Sequence, residues 1–103
     1  MKIIVLFNLK AGAAPSAYED WARANDIPTV NKLASVNGFE VLRSTGLLGT
    51  DTPAPYQYIE LLDVKSLDAL VADAGSDAMQ KIAAEFQTFA DSPQFILTEN
   101  VVG

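Results

Sequence analysis

Cysteine and histidine are both missing from this chain of 103 residues. Without them there is no disulfide, no thiolate nucleophile and no Cys/His metal site. A haem held by a His or Cys of this chain is excluded, as is any His-based triad. If the chain is an enzyme, its protons move through Asp, Glu, Tyr, Lys or water. Basic residues are also scarce: seven Lys and Arg face thirteen Asp and Glu, a net charge of −6. That balance argues against a nucleic-acid or anionic-membrane surface. The acidic residues are scattered, which reads as solubility. Long apolar runs are absent too, and no stretch is long enough to span a bilayer. Only five clearly apolar residues follow Met1-Lys2 before Asn8, too few for a signal-peptide core. The expectation is a soluble, cytoplasmic protein.

What is present is a core. Half the residues are apolar, which excludes disorder. A chain of this length forms one domain, residues 1–103, and buries roughly 60–68% of its unfolded surface.

The chain alternates strand-like and helix-like stretches. Lys2 to Leu9, rich in Ile, Val, Leu and Phe, predicts a central strand covered on both faces. A loop over residues 10–14 leads to Pro15, which suits a first helical turn, and Ser16 with Glu19 has capping-box spacing. Tyr18, Trp21, Ala22 and Asn25 share one face of that helix. Pro28 ends or kinks it near Asp26 and Ile27; Val30, Leu33 and Ala34 continue it until Asn37-Gly38. Phe39 to Leu48 and Tyr56 to Val64 predict the second and third strands. Ser66 caps a short helix with Leu67, Leu70 and Val71, interrupted at Gly75-Ser76-Asp77. A stronger helix carries Met79, Ile82, Ala83 and Phe86 as ordinary core, and Ser92-Pro93 stops it. Phe95 to Val102 is the last strand.

The order is β-α-β-β-α-β, an α+β ferredoxin-like topology with a four-stranded antiparallel sheet. Helices on one face leave the other face bare, with Ile4, Leu6, Leu42, Ile59, Leu61, Ile96 and Val102. Soluble monomers avoid so large an apolar surface. A homodimer packed sheet to sheet through that face is expected; the alternative is that a loop covers part of it.

Two charged residues interrupt apolar strand faces, Arg43 and Glu60. A hairpin folded near Asp51 puts them opposite each other, with Val41 facing Leu62 and Phe39 facing Val64. Burying such charges costs several kcal/mol per ion, by order of magnitude, unless they are well paired. The pair then either fixes the fold or does chemistry.

With that order established, the chain is similar to dimeric α/β barrel proteins. Its segments resemble the RedY-like (HapK-type) family. They are Ile3-Ile4-Val5-Leu6-Phe7-Asn8-Leu9, Tyr18-Glu19-Asp20-Trp21-Ala22, and Pro28 followed by Leu33-Ala34-Ser35-Val36. Further matches are Arg43-Ser44-Thr45-Gly46-Leu47-Leu48-Gly49, Pro55-Tyr56-Gln57-Tyr58-Ile59-Glu60 and Phe95-Ile96-Leu97-Thr98. The resemblance covers nearly the whole chain and rests on the order and spacing of the segments. It implies a homodimer, no cofactor, and a role in natural-product assembly of the pyrrole and indole pigment type. Relatives in the wider superfamily include cofactor-free monooxygenases, polyketide cyclases and EthD-type proteins, which share a small cleft between sheet and helices. That superfamily often places a His after the first helix in a Tyr/Trp…His-x-Pro arrangement; Asp26 stands at that position here.

In such barrels the face carrying Ile3, Val5, Phe7 and Leu9 meets the helices, with Arg43, Tyr58 and Glu60 on the same side and Tyr18 and Trp21 above. The resulting cleft suits a small planar aromatic ligand. Glu60 and Asp26 are the candidate catalytic residues; Arg43, Tyr58, Trp21, Tyr18 and Phe7 are the candidate substrate contacts. Burial raises the Glu60 pKa and Arg43 lowers it, and the balance sets its role. Arg43 could instead grip a substrate carboxylate. The structural alternatives are an Arg43–Glu60 bridge that locks the hairpin, an Asp26 that shapes the turn before Pro28, and a Trp21 and Tyr58 that fill core. Gly46 and Gly49 lack the spacing and the Lys of a phosphate loop. Three functions remain open. They are cofactor-free cyclisation, condensation or dehydration of an aromatic intermediate, cofactor-independent oxygenation, and non-catalytic binding or carriage of a small molecule.

Overall fold

The computed structural model describes residues 1–103. Strands β1 (Lys2–Leu9), β2 (Val36–Arg43), β3 (Tyr58–Val64) and β4 (Ala90–Leu97) form one sheet in the order β2-β3-β1-β4. All three pairings are antiparallel. Helices α1 (Pro15–Trp21), α2 (Ile27–Asn31), α3 (Leu67–Ala74) and α4 (Asp77–Phe89) complete the α+β ferredoxin-like fold, with a π-helical segment, Ala22–Asp26, joining α1 to α2.

Local chemistry explains most boundaries. Pro15 opens α1, where its missing N–H costs nothing. The hydroxyls of Ser66 and Ser76 accept from the backbone N–H of Ala69 and Met79 and so cap α3 and α4. The expected capping box at Ser16 and Glu19 does not form: the residue before α1 is Ala14, with no side-chain cap, and Glu19 is engaged across the molecule. Pro28 does not end the helix. Its ring would clash with the carbonyl four residues back in a regular α-helix. The wider π turn avoids this, with the Ile27 N–H donating five residues back to the Ala22 carbonyl.

Both ends of β2 and of β4, and the start of β3, depart from the sequence expectation. Strand β2 starts earlier, at Val36, and ends at Arg43, so Asn37-Gly38 lies inside it at a bulge opposite Val64 and Asp63. Strand β4 begins at Ala90, directly after α4. Ser92-Pro93 therefore sits within an edge strand, where β4 carries an extra residue against Leu6 to Asn8 of β1. Pro on an edge strand at a bulge removes no central ladder bond, and Ser92 adopts a positive φ of 47° there. The strand ends at Leu97, so Val102 is not on the bare face; it is exposed beyond the sheet.

The predicted hairpin register is also corrected. Arg43 lies opposite Tyr58, Val41 opposite Glu60 and Phe39 opposite Leu62. The loop between β2 and β3 spans residues 44–57, and its centre is one residue earlier than Asp51 implied. Asn8 helps set this loop: its side chain donates to the Pro55 carbonyl at 3.2 Å and accepts from the Gln57 N–H at 2.9 Å. The Gln57 side chain in turn accepts from the Leu9 N–H at 2.6 Å.

The core lies between the helices and one sheet face. Val5, Phe7, Tyr18, Ala22, Tyr58, Phe86 and Ala90 form one cluster. Ile3, Val30, Val36, Phe39 and Val64 form a second. The opposite face carries Ile4, Leu6, Leu42, Ile59, Leu61 and Ile96 in cross-strand register. No helix packs on it, and Leu42, Leu61 and Ile96 are each about two-fifths exposed (41%, 36% and 41%).

Candidate functional site

Tyr18, Ala22, Asp26 and Val30 are all at most 5% exposed. Their spacing is four residues. A straight α-helix would drift by about 40° at each such step. The π segment takes up that drift and keeps the four side chains on the core side. Asp26 is thereby turned inward, toward β3, while Asn25 turns out and donates to the Trp21 carbonyl.

Glu60 faces the same space from the sheet. It stands on β3, an inner strand, between Val5 of β1 and Val41 of β2. It is 5% exposed, and its Oε2 accepts a hydrogen bond from the Tyr18 hydroxyl at 3.1 Å. Asp26 and Glu60 both open onto a cavity of about 140 Å³ between the sheet and helices α2, α3 and α4. Ten of its twelve lining residues are apolar, among them Phe39, Leu70, Met79, Phe86 and Phe95. A cavity of roughly 150 Å³ holds a benzene ring, so this one accommodates a single aromatic ring.

Electrostatics at this cavity are unusual for carboxyls. Burial pushes Asp26 up to about 7. Burial first, and then the charge of Asp26, push Glu60 up to about 8, against the lowering effect of the Tyr18 hydrogen bond. No cation faces either group, so desolvation wins. The pair carries at least one proton at neutral pH. One protonated and one ionisable carboxyl on the same cavity can act as acid and base in turn. Tyr18, buried and beside Glu60, is pushed far above the ordinary phenol range; it donates its proton and does not lose it.

Arg43 does not touch Glu60. Its guanidinium points to α1, where Nε donates to Glu19 Oε2 at 2.8 Å and Nη2 to Oε1, a bidentate fork. The Tyr58 hydroxyl donates to the same Oε2 at 2.7 Å, and Arg23 adds a contact at 3.2 Å. Hydrogen bonds from Arg43 and Tyr58 hold Glu19 down at about 2. Burial and Glu19 lift Tyr58 to about 12. Arg43 and Tyr58 line a separate outer pocket of about 290 Å³ with loop residues Thr45, Gly46 and Pro53.

The expected site residues therefore divide. Glu60 and Asp26 share the inner cavity, with Tyr18 holding Glu60. Arg43 and Tyr58 belong to the outer network. Phe7 is fully buried, stacked against Tyr58 at 5.6 Å and edge-on to Tyr18 and Phe86. The indole N–H of Trp21 donates to Glu85 Oε1 at 3.1 Å, and its ring leans on Phe86 and Phe89. Neither Phe7 nor Trp21 lines the cavity. Sequence reasoning missed Glu19, which it read as a cap, and the lining residues Phe39, Phe86 and Phe95. No sequence signal marked these three, which read as ordinary apolar strand and helix positions; Phe95 lies on an edge strand and is 60% exposed. No three His, Cys, Asp or Glu residues are grouped to hold a metal ion. No helix is long and apolar enough to cross a membrane.

The profile of the REDY-like protein HapK family matches residues 1–101. HapK from Hahella chejuensis superposes with a TM-score of 0.75 at 24% identity, covering 100% of this chain and 96% of that one. At3g17210 from Arabidopsis thaliana gives 0.78 at 18% identity, covering 99% and 97%. SnoaB, a cofactor-independent oxygenase from Streptomyces nogalater, gives 0.71 at 12% identity, covering 98% and 94%. At these identities the structural likeness establishes the fold. No curated protein matches the chain.

Proposed function

The chain belongs to the REDY-like HapK family, and from that premise we propose that it binds a small planar aromatic intermediate of natural-product biosynthesis in the Asp26–Glu60 cavity. There it assists a cofactor-free cyclisation, condensation or dehydration. The observation that carries this reading is the pair of buried carboxyls opening onto an apolar, ring-sized space. Glu60, held by Tyr18, delivers a proton, and Asp26 takes one up. Holding the reacting atoms together in an apolar site supplies much of the rate. Phe39, Phe86 and Phe95 supply the aromatic part of the cavity wall, while Arg43 and Tyr58 stay with Glu19 at the outer pocket.

The test is a thermal-shift titration of wild type and Glu60→Gln with pyrroles, indoles and small phenols, followed by turnover assays on any scaffold that binds. The reading expects saturable stabilisation by one ligand class and a Glu60→Gln variant that folds and binds but does not turn over. Full turnover by that variant, or no shift with any ligand, would overturn it. A cofactor-independent oxygenation is the second reading, favoured by the likeness to SnoaB: a carboxylate base would expose an electron-rich ring to oxygen. Oxygen uptake that tracks substrate loss separates it from the first.

The bare sheet face supports a homodimer, as do relatives described as dimeric ferredoxin-like proteins. A sedimentation mass twice that of the chain is expected.

A further inference from the structure

We infer that the inner cavity selects a single-ring aromatic cation, such as a protonated arylalkylamine, over neutral or anionic rings of the same size. This rests on the reading that the cavity holds a ligand, and adds the charge that ligand carries.

Asp26 is the first ground. It is 4% exposed and faces the cavity, its carboxyl has no hydrogen-bond partner in the protein, and burial raises its pKa. A buried polar group left so is costly. The missing partner is a donor, and the cavity is where a donor can enter. The wall is the second ground. Phe39, Phe86 and Phe95 line it, and aromatic faces attract a cation held within about 6 Å of the ring.

The charge inventory is the third. The titratable groups at the cavity are Asp26 from the π segment, Glu60 from β3, and the Tyr18 hydroxyl bonded to Glu60. Helices α3 and α4 and strand β4 contribute only apolar side chains such as Leu70, Met79 and Phe95. No Lys or Arg lines the cavity, and the Arg43 fork is committed to Glu19. An anionic ring would meet two carboxyls with no counter-charge. A cationic ring would supply both the absent donor and the absent charge, and would release a carboxyl proton to solvent as it binds. Because Asp26 and Glu60 titrate close to neutrality, that release costs little there.

Calorimetry with three probes of equal size, benzylamine, benzyl alcohol and benzoate, tests this at about pH 7 in two buffers of different ionisation enthalpy. Benzylamine should bind at least about tenfold more tightly than the alcohol, with net proton release, and benzoate should show no heat of binding. In Asp26→Asn the amine-to-alcohol preference should collapse toward one. If that variant does not fold, Glu60→Gln carries the same comparison, and the wild-type series depends on neither. Alcohol binding as tight as amine binding, or benzoate binding the tightest, overturns the inference while leaving the cavity as a ligand site. Silence from all three probes overturns both.

Discussion

At the residue scale the decisive fact is which partner each charged group found. The sequence singled out Arg43 and Glu60 because each breaks an apolar alternation, and both do face the helices. A shift of two residues in the β2–β3 register changes the outcome. Arg43 faces Tyr58 and pairs with Glu19, while Glu60 is left among apolar neighbours with only a phenol. Two-residue slips keep every side chain on its face, so alternation alone could not detect this one; the Asn8 and Gln57 contacts that fix the loop were not legible from spacing. The two networks should therefore respond separately. In Arg43→Gln, Glu19 loses its bidentate partner, and its pKa should climb from about 2 toward its ordinary 4.5. Glu60 should stay near 8. Carboxyl NMR titration reads both, and a Glu60 pKa that rises with the Arg43 change would show that the two groups are coupled after all.

At the element scale, the identity of strands and helices was readable and their junctions were not. Pro28 was expected to end or kink a helix, which is what Pro does to an α-helix. The π segment offers a third outcome, and it depends on tertiary packing: the inward face must continue through Tyr18, Ala22, Asp26 and Val30. Ser92-Pro93 misled for a similar reason, since a bulge on an edge strand tolerates what a central strand would not. The π segment has a testable purpose. Inserting one alanine after Ala24 would add a residue beyond what the π turn takes up and rotate Asp26 by roughly 100° relative to Tyr18. Asp26 would then leave the cavity. The expected result is a folded but less stable protein that has lost its ring-sized ligands in calorimetry. An insertion variant that binds them as wild type does would mean that the π segment does not position Asp26.

At the scale of the whole molecule, the buried carboxyls invert the usual dependence of stability on pH. The ferredoxin-like order and the bare face were legible because they follow from alternation and element sequence; the cavity was not, because Met79, Ile82 and Phe86 read as core whether or not they leave a space. Asp26 and Glu60 have folded pKa values near 7 and 8, above their ordinary values of 3.8 and 4.5. The folded state therefore binds these protons more tightly than the unfolded chain. Their contribution to stability is complete below about pH 4 and drains away as pH rises through 7 and 8, on the order of a few kcal/mol for each carboxyl. Above pH 10 the raised pKa of Tyr58, about 12, works in the same direction. Glu19 and Asp73 act oppositely. Their pKa values are depressed, by Arg43 and Tyr58 in one case and by the Ser35 contacts in the other. Their contribution is present above the ordinary carboxylate range and is lost as pH falls through their folded values. The two trends place the stability maximum near pH 4–5, below the usual window of about 5–8. Urea denaturation across pH 3 to 9 should show the midpoint falling steadily above pH 5. In the Asp26→Asn, Glu60→Gln double variant that alkaline decline should flatten while the acid limb remains. A wild-type midpoint that rises from pH 5 to 8 would mean the two carboxyls ionise freely, and with that the acid–base pair at the cavity would be lost as well.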